Sequence, residues 1–110
     1  MIARMWHGWT TPEKADDYQN LLLTKILPGI RACHPEQAFK GTYLMRRAVP
    51  EGHEFITMML FDSLEDVRKF AGPTYDLAVI APEAAALLTR FDERSQHYEV
   101  LLTPDRLGQS

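Results

Sequence analysis

The run Phe55-Ile56-Thr57-Met58-Met59-Leu60-Phe61 is apolar on both parities except at Thr57, so a strand here has two faces to bury. Turn signals bound it, Pro50-Glu51-Gly52 before and Asp62-Ser63 after. Phe39 to Ala48, rich in Tyr43, Leu44 and Met45, is a second strand, and the short link makes the two a hairpin. Beyond the hairpin a helix begins. Ser63 is its N-cap with Asp66 at capping-box spacing, Leu64, Val67, Phe70 and Ala71 form its apolar face, and Gly72-Pro73 stops it.

The N-terminal part repeats the strand-then-helix pattern. Ile2 to Trp9 reads as a strand and Thr10-Thr11-Pro12 as its end, with Thr11 an N-cap and Pro12 the first helical residue. Ala15, Tyr18, Leu21, Leu22 and Ile26 follow at helical period. Pro28 removes the bond from its own nitrogen to the Thr24 carbonyl, so the helix kinks or ends there. Ile30 to Cys33 adds a weak turn that His34-Pro35 closes. Downstream, Tyr75 to Ile80 reads as a helical turn or two, Glu83 to Phe91 as a helix, and Ser95 to Leu102 as the last strand. Thr103 to Ser110 is a polar tail behind one domain of residues 1–102. The order β-α-β-β-α-β predicts an α+β, ferredoxin-like sandwich, with four antiparallel strands in the order 4-1-3-2 and the helices on one face. The first strand is also apolar on both parities, so the helix-free face is expected to be covered by a second copy of the chain.

Composition narrows the function. The chain has 110 residues, 12 basic against 15 acidic, and a net charge of −3, which gives no electrostatic footprint for nucleic acid. Cys33 is the single cysteine, so an internal disulfide is excluded and a reducing compartment is the default. No apolar run approaches the roughly 18–20 residues of a membrane span, and no signal-peptide core is present. The expectation is a soluble cytoplasmic protein with no nucleic-acid or membrane partner.

The sequence resembles the dimeric α/β-barrel superfamily, and within it the antibiotic biosynthesis monooxygenase-like branch. The likeness rests on Ile2-Ala3-Arg4-Met5-Trp6-His7-Gly8 running into Thr11-Pro12-Glu13-Lys14-Ala15. It rests also on Phe61-Asp62-Ser63-Leu64-Glu65 with Phe70-Ala71-Gly72, and on His97-Tyr98-Glu99-Val100, covering roughly residues 1–102. It implies a homodimer with its two sheets face to face and a small cavity between sheet and helices in each subunit. Members of the branch oxidise polycyclic phenols without metal or flavin, or degrade haem. The haem-degrading members use an Asn on the first strand, a Trp on the helix after the hairpin, and a His ligand about ten residues on. This chain has Trp6, Phe70 and Ile80 there, and Ile80 has no donor for iron. The phenol-oxidising members use a Trp and then a Tyr in that helical region, where Phe70 and Tyr75 stand here.

Read by themselves, the chemical residues divide in two. His7, His34, His53 and His97 show no helical i, i+4 pair, so no metal site is expected, and neither is a cofactor. His34 and His53 read as solvated loop residues, and Cys33 as a small hydrophobe with no local cause for activation. His97, on a strand beside the first, is either a general base or a core histidine; opposite partners sum to 103 if it faces Trp6 and to 104 if it faces His7. Arg4 on the same face needs an acidic partner such as Glu99 or an anionic ligand if it is buried. Tyr43, Met45, Met58, Met59, Phe55 and Phe61 form a soft strip that is either pocket wall, core or dimer interface. With Phe70 and Tyr75 supplied by the resemblance, the expected site is catalytic His97 and Tyr75, with Arg4, Trp6, Tyr43, Met59 and Phe70 against the substrate. Two functions fit: a cofactor-independent monooxygenase-like enzyme acting on a small aromatic or polyketide-like molecule, or a non-catalytic dimeric binding module on the same scaffold.

Overall fold

The structure is a computed structural model that describes residues 1–33, 39–78 and 80–104. Its elements are β1 (Ile2–Thr10), α1 (Ala15–Leu21), α2 (Leu27–Cys33), β2 (Phe39–Val49), β3 (Gly52–Phe61), α3 (Leu64–Ala71), α4 (Pro82–Ala85), β4 (Arg90–Phe91) and β5 (Gln96–Glu99). The sheet is antiparallel with β3 between β2 and β1, and both β4 and β5 pair with the far edge of β1. This is the expected 4-1-3-2 order with its outer strand broken in two.

The first helix starts at Pro12 with a 3₁₀ turn, and Thr11 is extended as a cap should be, although its side chain makes no capping bond. A π turn, Leu22–Ile26, joins α1 to α2, and the Leu27 N–H reaches back five residues to the Leu22 carbonyl. The wider turn sits next to Pro28, which cannot donate to Thr24, so the helix continues through the proline instead of ending. His34-Pro35, the side chain of Cys33 and the end of the polar tail lie outside the described residues. Ser63 caps α3 as its spacing predicts, its Oγ accepting from the Asp66 N–H at 3.2 Å and donating to the Asp66 carboxylate at 2.9 Å.

Helices cover one face of the sheet. Tyr18, 1% exposed, meets Phe55 edge-on with ring centroids 4.8 Å apart, and Ala15, Leu22 and Ala84 complete that core. Phe61 meets Phe70 of α3 in the same way at 5.2 Å. Among the described residues no helix covers the opposite face, and Tyr43, Met45 and Tyr98 are 55%, 43% and 53% exposed on it.

Three expectations need correction. The alanine-rich helix ends at Ala85, not Phe91, because the Thr89 N–H bonds the Trp9 carbonyl at 2.8 Å and pulls the chain onto the sheet edge. Tyr75 to Ile80 is not helical over its described residues; it forms turns and a bridge between Leu77 and Arg94. His53 is not a loop residue but pairs with Thr10 and Ala48 inside the sheet, its ring 3.4 Å from Arg46 Nη2.

Gly52 closes the hairpin with φ of +144°, and a Cβ there would stand 2.0 Å from the Thr10 carbonyl oxygen. Gly52→Ala is expected to lower stability by about 1–3 kcal/mol from the strained backbone, read from the denaturant midpoint. An unchanged midpoint would show that the turn has another conformation available.

Candidate functional site

The break between β4 and β5 builds the site. Met5 pairs with Gln96 and Gly8 with Phe91, so only Trp6 and His7 lie opposite the four residues Asp92 to Ser95. The two extra residues bulge outward, as bulges near functional sites do. Asp92 fills the gap. Its N–H bonds the His7 carbonyl at 2.9 Å, its carbonyl accepts from Trp6 Nε1 at 2.7 Å, and its carboxylate lies 2.7 Å from His7 Nδ1. The bulge also docks the chain after α3: the Ser95 N–H bonds the Asp76 carbonyl at 2.7 Å, the Ala78 N–H bonds the Glu93 carbonyl at 3.0 Å, and Arg94 pairs with Asp76.

Tyr75 and Asp76 are thereby held over the sheet beside Arg4 and His97. The β1–β5 register places Arg4 opposite His97, a sum of 101, and not Trp6 or His7 as either sequence alternative had it. The bulge takes up the difference. Parity puts Trp6 and not His7 on the face that carries His97. A row then crosses the helix-covered face: His97 on β5, Arg4 on β1, Met59 on β3 and Thr42 on β2.

Arg4 is 8% exposed. Its Nη1 donates to the Tyr75 carbonyl and lies 3.0 Å from His97 Nε2. A guanidinium only donates, so Nε2 accepts and the neutral ring carries its hydrogen on Nδ1. Glu99, the partner expected for Arg4, makes no ion pair with it; among the described residues no carboxylate comes within salt-bridge distance of Arg4. Burial lowers the Arg4 pKa against an opposing pull from Asp76. His97 is held below its ordinary 6.5, first by burial and then by the Arg4 charge, with Asp76 opposing. The ring is therefore neutral at neutral pH, the form a general base needs. Tyr75 meets the imidazole edge-on at 5.2 Å, and the Arg68 guanidinium lies 5.4 Å from the centre of the Tyr75 ring.

Trp6 lies against Gly8, where an added Cβ would come within 3.0 Å of the indole and of Leu88. Phe70 reaches the same face through Phe61. At the far end of the row an open cleft of about 500 Å³ runs between the long helix and β2, lined by Leu23, Leu27, Pro28, Arg31, Ala32 and Thr42. Two strand spacings, about 10 Å, separate Thr42 from Arg4, so the cleft and the Arg4–His97 pair are the two ends of one floor. Arg4, Trp6, Met59, Phe70, Tyr75 and His97 thus share the helix-covered side. Tyr43 does not: it pairs with Met58 and points from the helix-free face. Asp92, whose carbonyl fixes Trp6 and whose carboxylate fixes His7, was missed by sequence reasoning because only the bulge brings it to β1. Among the described residues no three His, Cys, Asp or Glu side chains converge to hold a metal ion, and no helix is long and apolar enough to cross a membrane.

The depressed His97 pKa has a consequence for stability. Above about pH 6.5 folded and unfolded chains both hold a neutral ring. As pH falls the unfolded chain takes up the proton first, so stability is lost until the folded ring also titrates at its lower pKa. The melting temperature should fall from pH 7.5 to 5.5, and less steeply in His97→Gln. Equal slopes in both proteins would assign the loss to other groups.

Two solved structures share the architecture. An arginine-to-serine mutant of MhuD, described with two manganese protoporphyrin IX molecules bound per active site, superposes with a TM-score of 0.60 at 16% identity, over 94% of this chain and 97% of that one. The second is described as the haem-degrader MhuD from Mycobacterium tuberculosis with two haems bound in its active site. It gives 0.55 at 18% identity over 94% and 98%. The likeness fixes the fold. It is the ferredoxin-like α+β fold of those proteins, the one the element order predicts. No family model matches the sequence, and no curated protein matches it.

Proposed function

We propose that this chain is a monooxygenase-like enzyme of the antibiotic biosynthesis monooxygenase-like branch. It oxygenates a small flat phenol or enol on the floor between the sheet and its helices, with no cofactor. The observation that carries the reading is the pairing of buried Arg4 with half-buried His97 beneath Tyr75, a neutral imidazole held on the sheet. His97 Nε2 exchanges its bond to Arg4 for a proton of the substrate and leaves an electron-rich carbanion. That carbanion passes an electron to dioxygen, the two recombine as a peroxide, and loss of water leaves a new carbonyl. Trp6 and Phe70 wall the ring system and exclude water, Met59 forms the floor, and the Tyr75 hydroxyl donates to the developing oxyanion. Oxygen uptake on anthrone-like substrates, neutral and carboxylated, is the assay. Bound ligand without uptake across a phenolic panel moves the reading to the binding module.

The two MhuD structures favour a second reading, a porphyrin in the same place. The residues here oppose iron ligation by the protein: Ile80 stands where the haem-degrading members have their histidine, and its side chain has no donor atom. Titrated haem is expected to give no Soret shift that a single histidine substitution abolishes, and such a shift would overturn the phenol reading.

The assembly we propose is a homodimer through the helix-free face. Tyr43, Met58 and Met5 form one cross-strand row there, and Met45 and Ile56 lead into His7 in the next. The Arg47–Glu54 pair stands further along the same strands, so the apolar rows form a patch suited to a second copy of itself.

A further inference from the structure

Arg4 is a buried charge with no carboxylate within salt-bridge distance among the described residues, Asp76 acting on it only from further off. Its two hydrogen bonds, to the Tyr75 carbonyl and to His97 Nε2, run through Nη1 and go to neutral acceptors. Nε and Nη2 have no partner among the described residues. Removing a guanidinium from water with only neutral acceptors is costly, and folds rarely retain one unless an anion repays it. The unpaired Nε–Nη2 edge is the side of the fork that grips a carboxylate with two parallel bonds. The Nη1 bonds hold that edge in one orientation, beneath Tyr75 and on the row that runs to the cleft.

We propose that Arg4 is the specificity-determining residue of this site: its Nε–Nη2 edge takes a carboxylate carried by the aromatic substrate, and the bound carboxylate makes His97 the stronger base. The assignment rests on the placement of substrate over the Arg4–His97 row. A carboxylate on that edge cancels the guanidinium charge, which raises the proton affinity of the imidazole and weakens the pull of Nη1 on the Nε2 lone pair. The base is thus armed by the substrate's own acid group, and a neutral phenol of the same shape leaves it idle.

The charged groups around His97 come from four elements. Arg4 faces it from β1, Tyr75 and Asp76 from the segment after α3, Arg68 from α3 above Tyr75, and Glu99 from two residues along β5. Asp76 is engaged by Arg94, which leaves Arg4 as the group an incoming anion neutralises.

The test follows the His97 ring by proton and carbon NMR, assigned by its disappearance in His97→Gln, while pH is varied with benzoate or the neutral benzamide. Benzoate should raise the His97 titration midpoint by about one unit, the effect of a cancelled neighbouring charge. By reciprocity benzoate should bind about tenfold more tightly at low pH than at high. Benzamide should do neither, and Arg4→Gln should abolish the benzoate effect while Arg4→Lys, which keeps the charge and loses the fork, retains part of it. Equal effects of benzoate and benzamide, or no shift in the unmodified protein, overturn the proposal without either Arg4 variant having to fold. The readout needs no turnover. Failure of oxygen uptake on carboxylated as well as neutral substrates sinks the oxygenase reading and leaves this one standing, and a flat titration does the reverse.

Discussion

His97→Gln is expected to lower the rate of oxygen uptake by about 10²- to 10⁴-fold, the usual contribution of a positioned base, while the fold and substrate affinity persist. The replacement separates a catalytic role from a structural one. A glutamine side chain offers an amide oxygen to Arg4, so a histidine that served only to satisfy the guanidinium has a competent substitute. Proton abstraction has none, since an amide does not accept a proton near neutral pH. The loss should therefore fall on kcat with little change in KM, and the pH–rate profile should lose the limb set by His97 below 6.5. Turnover equal to that of the unmodified protein would eliminate His97 as the base and leave the Arg4–His97 bond as architecture.

The cluster behind that expectation was legible in part, and the limit was register. Arg4, Trp6, Met59, Phe70, Tyr75 and His97 gather on one side because β1, β3 and α3 lie where their apolar patterns put them. Arg4 meets His97 directly, and not Trp6 or His7, because four residues stand opposite two at the β4–β5 break. Nothing in Asp92-Glu93-Arg94-Ser95 announces a bulge, since its residues take their partners from β1 and from the segment after α3. Tyr43 fails for the same kind of reason. Continued from the pairing of Phe39 with Phe61, the register would set Tyr43 opposite Thr57 on the helix-covered face; the irregularity between Phe39 and Gly41 sets it opposite Met58 instead. One extra residue in a strand moves every later side chain across the sheet.

Where propensity and topology conflicted, topology prevailed. Ala84-Ala85-Ala86-Leu87-Leu88 has the composition of a helix, yet only Pro82–Ala85 is helical. The chain has to reach the open edge of β1 within a few residues, and the Thr89 and Asp92 N–H groups find carbonyls of Trp9 and His7 there. By contrast, the Ser63 cap and the Gly72 stop of α3 are local chemistry, and they stand as the sequence implies. Pro28 falls between the two cases. The proline excludes a regular turn, but whether the helix ends or widens depends on the apolar surface beyond it, and Leu27 lies against the core.

Met58→Lys is expected to convert a dimer of about 25 kDa, twice the 12.6 kDa chain, into a monomer in sedimentation at micromolar concentration. Met58 sits at the middle of the helix-free face, opposite Met5 on one side and Tyr43 on the other. An interface that joins two such faces should bury more than about 2,000 Å² in total, with an apolar centre. An ammonium at that centre has no acidic partner within its rows, so its desolvation opposes association directly. In the monomer the same lysine faces water and costs little. Stability should fall together with association, because folding and docking of the face are linked by mass action, and the melting temperature of the unmodified protein should rise with its concentration while that of the variant does not. Arg47→Ala, at the Arg47–Glu54 pair further along the same strands, serves as the comparison and should weaken the dimer far less, since Arg47 is 72% exposed in this chain. A 12.6 kDa species in the unmodified protein at micromolar concentration would remove the dimer. The exposed Tyr43, Met45 and Tyr98 would then be surface residues of a stable monomer, and the oxygenase reading would rest on the Arg4–His97 floor of a single chain.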